Sequence, residues 1–370
     1  MILRELETLS ETFLCHSKQT MPLRTGGARV TIKDIARLSG CGVATVSRVL
    51  NHHPDVSEET RRKVMAVVDA NGFQPNNNAK RLKQQAGTSI AVVVKGTQNM
   101  LFAGLVERIQ TQLRDAGRDA SVYYLDEDAD EVTYALKLCR ERKPAGILFL
   151  GGDLELFQET FRGIGVPCVL LTHSAEDLGC VNLSSITTDD NAAAGQVIEY
   201  LAARGHRHIG SISGNWSCTQ VGYSRFHGCL RACRRLGLPF DKERQCEPCR
   251  YSMGDAYAAA RRLVERCPEL TAIFAVSDVM AIGVIRALRD LGKRVPEDVS
   301  VVGFDGIPLS QYFIPRLTTV RQDTQRLAER GVEVLLRNVE RPSRPFHELV
   351  PFQLVEGESV ARITPAEHSD

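Results

Sequence analysis

The sequence predicts an α/β chain, with a small all-helical head and a large core of parallel sheets in two subdomains. Three observations carry that expectation. Between residues 31 and 73 the apolar residues recur at helical spacing, and no run alternates as a half-buried strand does. From Ile90 onward, short apolar runs alternate with helical stretches of roughly 10–15 residues, the pattern of buried parallel strands joined by crossovers. At 370 residues the chain exceeds what one core serves and suits two or three domains.

Residues 1–28 read as a flexible extension ending in Thr25-Gly26-Gly27. In the head, residues 29–74, Thr31 opens a helix with Ile32, Ile35, Ala36 and Leu38 on one face, and Gly40 stops it. A second helix from Val43 to Leu50 has Val46, Val49 and Leu50 apolar, and Asn51-His52-His53-Pro54 breaks it. Ser57 caps a third helix with Val64, Val67 and Val68 inward, which ends at Asn71-Gly72. Residues 75–88 hold a short basic stretch, barely amphipathic, that needs a partner to order it, and then a linker. The core, residues 89–370, carries expected strands at Ile90–Val94, Ala120–Leu125, Ile147–Leu150, Val166–Leu171, Ile209–Ile212, Ile273–Val276 and Val299–Val302, with helices between them.

Net charge is +1 and argues for no partner by itself. Its distribution does. Residues 29–86 hold ten Lys/Arg against five Asp/Glu, so that segment is +5 and the remainder −4, an asymmetry suited to a head that faces nucleic acid. No apolar run approaches the roughly 18 residues of a membrane span. The first 28 residues hold Arg4, Glu5, Glu7 and Glu11 in place of the apolar stretch of a secretory signal. A cytoplasmic protein is expected, with its eleven cysteines reduced.

The segment Thr31–Asn51, TIKDIARLSGCGVATVSRVLN, has the shape of a helix-turn-helix. Its second helix enters the major groove only if its outer face is slim and polar, as Val43, Ala44, Thr45, Ser47 and Arg48 make it. On shape alone a helical hairpin that caps the core stays open as an alternative. The particular residues of Val30–Lys83 resemble the N-terminal domain of the lactose/galactose repressor family of bacterial transcription regulators. The remainder is similar to that family's two-lobed, periplasmic-binding-protein-like core. The resemblance implies that Val43, Ala44 and Arg48 read bases and that Thr31, Thr45, Ser47 and Asn51 contact phosphates. Physical chemistry agrees, because hydroxyls and amides satisfy phosphate oxygens and an arginine forks onto guanine O6 and N7. The Val43-Ala44 pair is closest to the galactose-repressor branch, while Cys41-Gly42 stands where the family usually has Val-Ser.

Asn76, Ala79, Leu82 and Lys83 match the family's hinge helix, which folds on DNA, pairs with its twin and wedges a leucine into a central base step. Leu82 is the implied wedge. A paired hinge implies a palindromic operator and at least a homodimer. No leucine heptad follows Ile363, which favours a dimer over a tetramer.

The core lacks a nucleophile elbow, since Ile212 stands at the centre of Gly210–Gly214, and it lacks a P-loop, HExxH or dinucleotide motif. Binding is therefore expected, with no catalytic residues and no cofactor. In the resembled family a small effector lies between the lobes. Arg225, Ser277 and Asp305 match its contact pattern, Tyr251 falls near its stacking aromatic, Phe102 near its apolar wall, and Thr172 where an acid is common. An arginine and a carboxylate both bind vicinal hydroxyls by paired hydrogen bonds, which points to a sugar. The plain alternatives are an Arg225–Asp305 structural ion pair and core packing of Tyr251 and Phe102. Asp278 is expected to cap the next helix. Cys229, Cys233, Cys246 and Cys249 offer four thiolates for zinc only if two pairs converge, so packing, not metal, is expected.

The resulting expectation is a ligand-responsive transcriptional repressor whose partners are double-stranded operator DNA, a sugar effector and its own twin, with no membrane. Its rivals are a cytoplasmic sugar-binding or carbohydrate-processing protein with a helical appendage, against which the +5 segment speaks, and a regulator whose cysteines sense metal or redox state.

Overall fold

A computed structural model describes residues 30–50, 53–73, 89–214 and 221–363, in two compact units, Met1–Arg81 and Leu82–Asp370. Residues 1–28, the expected hinge at 75–88, and with them Asn51, Asn76, Ala79, Leu82 and Lys83, lie outside the described residues.

The head is a three-helix cluster. Helix α1 (Ile32–Ser39) is closed at its start by a capping box between Thr31 and Asp34 and at its end by Gly40, whose φ of 64° is the left-handed turn that glycine adopts freely. Helix α2 (Val43–Leu50) follows, and α3 (Glu58–Ala70) is capped by the Ser57 hydroxyl. Ile35, Ala36, Val46, Val49, Val64 and Val68 meet in one small core. One expectation fails here: Leu38 is 53 % exposed, and Ser39 takes the inward place, its hydroxyl bonded to the Ala36 carbonyl. At 100° per residue the stripe centres on 32, 35, 36 and 39, which leaves position 38 about 120° away.

In the second unit the chain builds one lobe through β1 (Ile90–Lys95), α4 (Met100–Asp115), β2 (Ala120–Leu125), α5 (Glu131–Glu141), β3 (Gly146–Leu150), α6 (Leu154–Thr160), β4 (Cys168–Leu171) and β5 (Leu183–Thr188). It crosses to a second lobe through α7 (Asp190–Ala203), β6 (Ile209–Ser213), α8 (Val221–Arg235), α9 (Lys242–Gln245), β7 (Cys246–Pro248), α10 (Met253–Arg266), β8 (Ala272–Ala275), α11 (Asp278–Asp290), β9 (Ser300–Asp305) and β10 (Thr318–Gln322). It returns for α12 (Thr324–Glu340) and β11 (His347–Val350), then crosses a third time to β12 (Phe352–Val355).

The first sheet has the order β11-β5-β4-β3-β1-β2, parallel throughout, and the second β12-β10-β9-β8-β6-β7, with only β12 antiparallel. Helices cover both faces, so the central strands are apolar on both sides. Strand β5 escapes sequence reading because its buried run, LSSITT, carries hydroxyls. Ser184 and Ser185 bond Phe346 N–H and His347 on the β11 side. Asp278 is the second correction. It is the first residue of α11, not its cap, and its carboxylate accepts from Ile307 N–H and Thr319 Oγ1, at 2.8 and 2.5 Å, and so pins the turn after β9.

Candidate functional site

On the head, Val43, Ala44 and Arg48 stand exposed along α2, while Val46 and Val49 are buried. The i, i+1, i+5 spacing thus puts the three expected base readers on the solvent side of a helix whose other side is anchored. Thr45 and Ser47 are half-buried at the edges of that face. Thr31 is committed locally: its hydroxyl donates to Asp34 Oδ2 at 2.7 Å and accepts the Asp34 N–H. Arg61 donates to the His53 carbonyl at 3.0 Å and holds the start of α3 to the turn after α2.

The larger unit contains a cavity of about 370 Å³ between its lobes. The wall collects at the carboxyl ends of parallel strands, where open α/β sheets bind ligands. Lys95 ends β1, Gly151 follows β3, Thr172 follows β4, Tyr251 follows β7 and Asp305 ends β9. Five expected contacts, Phe102, Thr172, Arg225, Tyr251 and Asp305, share this one wall. Ser277 does not reach it. It is buried at the N-cap of α11, where its hydroxyl helps to hold the Asp305 carboxyl down against burial.

Arg225 is placed by close helix packing. A Cβ on Gly228 would lie 2.3 Å from the Asn191 carbonyl, so glycine there lets α8 press onto α7. Arg225 then gives Nε to Asp190 at 2.8 Å and Nη1 to the Val276 carbonyl, lies 3.6 Å from Asp305, and stacks 3.7 Å above the Phe304 ring. A Cβ on Gly214 would lie 2.5 Å from the Tyr251 ring, so that glycine makes room for the aromatic.

Part of this floor is strained in its backbone. Thr172 and Asp305 hold φ values of 72° and 117°, a region that side chains other than glycine occupy at a cost of roughly 1–3 kcal/mol. Thr172 Oγ1, Tyr251 OH and Asp305 Oδ2 are buried without a hydrogen-bond partner among the described residues. Burial pushes the Asp305 carboxyl up to about 6 against the pull of Arg225, and it pushes Asp278 well up behind it. His173, next to Thr172, is held down to about 4 by burial and by the Arg225 charge. Asp305 also ties the floor to the crossover: Gln322 Nε2 donates to Asp305 Oδ1 at 2.9 Å, and Thr188 Oγ1 to Gln322 Oε1 at 3.1 Å, across two of the inter-lobe passages.

The mouth was not foreseen. Arg250, after β7, reaches Asp126 at 2.6 Å, Asp128 at 3.1 Å and Glu127 at 3.8 Å, on the turn after β2 of the other lobe. The Tyr251 N–H donates to Glu127 Oε2 at 3.1 Å. Lys95 contributes from β1, paired with fully buried Glu131 at 2.6 Å. A signal existed, since Asp126-Glu127-Asp128 follows a strand and strand ends carry ligand sites. The partner Arg250 lies 124 residues away in sequence.

The cysteines pack. Cys229, Cys233 and Cys246 are buried and Cys249 is half-buried, and burial pushes the thiols of Cys229, Cys233 and Cys249 up, to about 11 for Cys233 and about 12 for Cys249. Among the described residues no three His, Cys, Asp or Glu are grouped to hold a metal ion, and no helix is long and apolar enough to cross a membrane.

The family profile of the lacI family of bacterial regulatory proteins matches residues 31–76, and that of a periplasmic binding protein-like domain matches residues 198–360. The chain is 34% identical over 337 residues to the HTH-type transcriptional regulator MalR of Clostridium butyricum, across 90% of this chain and 100% of that protein. Its structure matches the crystal structure of the lac repressor dimer bound to operator and the anti-inducer ONPF with a TM-score of 0.70, at 25% identity over 90% of this chain and 100% of that one. It matches the complex of the transcriptional regulator CelR with cellobiose at 0.65, with 26% identity over the same shares.

Proposed function

The chain belongs to the lacI family of bacterial regulatory proteins, a family of transcriptional regulators and not of enzymes, and from that premise we propose a repressor that acts in the cytoplasm as a homodimer on a palindromic operator. In this reading residues 29–74 bind DNA, 75–88 form the hinge and 89–370 form the effector-binding and dimerising core. Val43, Ala44 and Arg48 read base edges. Thr45, Ser47 and Asn51 hold phosphates, with Thr31 through its helix end. Asn76, Ala79, Leu82 and Lys83 form the paired hinge. The effector is a sugar held by Phe102, Thr172, Arg225, Tyr251 and Asp305, with Ser277 positioning Asp305. The observation that carries the effector half is a cavity wall on which Thr172 Oγ1, Tyr251 OH and Asp305 Oδ2 have no hydrogen-bond partner among the described residues, a set that the hydroxyls of a ligand can bond.

Binding and control are then linked equilibria: the ligand biases how the lobes close, and the Thr188–Gln322–Asp305 chain joins the floor to the crossovers. The test is binding of the purified chain to palindromes from its own promoter region across a salt series, with and without sugar. Expected are a preference for one palindrome that falls steeply with salt, a changed affinity when sugar is added, and loss of base preference in Arg48→Ala. Equal binding to palindrome and random duplex would overturn the proposal.

A further inference from the structure

We propose that the cavity takes an electrically neutral sugar and turns away uronates and sugar phosphates. This rests on the effector reading above and deepens it by naming the ligand's charge.

The argument is an account of charge along the wall. Lys95, Arg225 and Arg250 line the cavity against Asp126, Glu127, Asp255 and Asp305. Each cation is already answered from within the protein. Lys95 Nζ lies 2.6 Å from Glu131. Arg225 bonds Asp190 at 2.8 Å and lies 3.6 Å from Asp305. Arg250 reaches Asp126 and Asp128 at 2.6 and 3.1 Å. With Glu131 and Asp190 behind the wall, carboxylates outnumber cations. An incoming carboxylate or phosphate would meet a field of its own sign in a poorly screened pocket, and would have to break an ion pair to find a cation.

The unpaired atoms select in the same direction. Asp305 Oδ2 is an acceptor, while Thr172 Oγ1 and Tyr251 OH either donate or accept. Three such atoms in one buried wall match the hydroxyls of a polyol. Phe102 adds an apolar surface for the C–H face of a ring, with its ring edge packed at Gly151, where a Cβ would lie 3.1 Å away.

Thermal shift followed by calorimetry on the intact chain decides it. The panel holds glucose, ribose, maltose and cellobiose, the anionic analogues glucuronate and glucose 6-phosphate, and hypoxanthine. A neutral sugar is expected to raise the melting temperature with concentration, while its charged counterparts leave it unmoved. Asp305→Asn is expected to weaken that sugar by about tenfold or more, the scale of a hydrogen bond to a charged group. Glu131→Gln releases Lys95 and is expected to narrow the gap between the neutral sugar and glucuronate, which keeps the inference testable should Asp305→Asn fold poorly. A charged analogue that binds as tightly as its neutral parent overturns the neutrality while the sugar reading stands. A shift with hypoxanthine alone, or with nothing in the panel, overturns the sugar reading and this inference with it.

Discussion

The floor and the mouth of the cavity are built on opposite terms. In the floor, Thr172, Arg225 and Asp305 are buried, Thr172 and Asp305 are strained in their backbone, and Thr172 Oγ1, Tyr251 OH and Asp305 Oδ2 have no hydrogen-bond partner among the described residues. The mouth, at Asp126, Asp128 and Arg250, is exposed and already paired. The difference teaches where ligand binding gains its free energy. An exposed ion network is satisfied by itself or by water and has little left to give. A wall whose carboxylate oxygen and hydroxyls have no protein partner keeps them for the hydroxyls of a ligand.

Four changes would break or sharpen this contrast. Arg225→Ala should have the largest effect, because it leaves Asp190 and Asp305 buried without their cation, and such losses cost about 3–5 kcal/mol. Chemical denaturation should show the core's stability falling by that order, and an unchanged midpoint would mean the floor is not electrostatically held. Next comes acidity at Asp305, whose surroundings are Arg225, Asp190, Asp278, Tyr251, Ser277 and Gln322. With its carboxyl near 6, sugar affinity should be flat above that pH and fall toward about tenfold per unit below it, as read by titration between pH 7.5 and 5. In the empty protein the sign is reversed. A carboxyl raised on folding contributes stability below its unfolded value that is lost as pH rises through about 6, so Asp305→Asn should gain on the wild type at pH 7.5 and not at pH 4. Third, Tyr251→Phe removes one unpaired hydroxyl, which should lower sugar affinity by about 1 kcal/mol and leave the melting temperature of the empty protein equal or higher. Arg250→Ala should be smallest, weakening the sugar by no more than about threefold at low salt, with the difference vanishing at high salt as screening takes over. A larger, salt-independent loss would show that the mouth contributes as the floor does.

Legibility followed distance along the chain. The head was readable because Thr31, Gly40 and Ser57 are local signals whose neighbours lie within four residues. Leu38 failed because its apolar character pointed inward while its helical angle pointed out. The central strands were readable because two-sided burial makes them apolar, whereas β5 was not, because its buried serines bond the edge of β11 more than 150 residues on. Asp278 at a helix start reads as a cap. Only the turn carrying Ile307 and the strand carrying Thr319 turned its carboxylate elsewhere.

The sequence alone determined the order of helical head and parallel-sheet core, the exposed face of α2, and a set of polar residues suited to hydroxyls, since each follows from periodicity or residue chemistry. The tertiary structure alone decided that Phe102, Thr172, Arg225, Tyr251 and Asp305 share one wall, that Ser277 stands behind it, and that Lys95 and Arg250 are neutralised from within. Charge balance is a sum over distances in space, and residues 36 to 124 apart in sequence enter that sum only once the sheets bring their strand ends together.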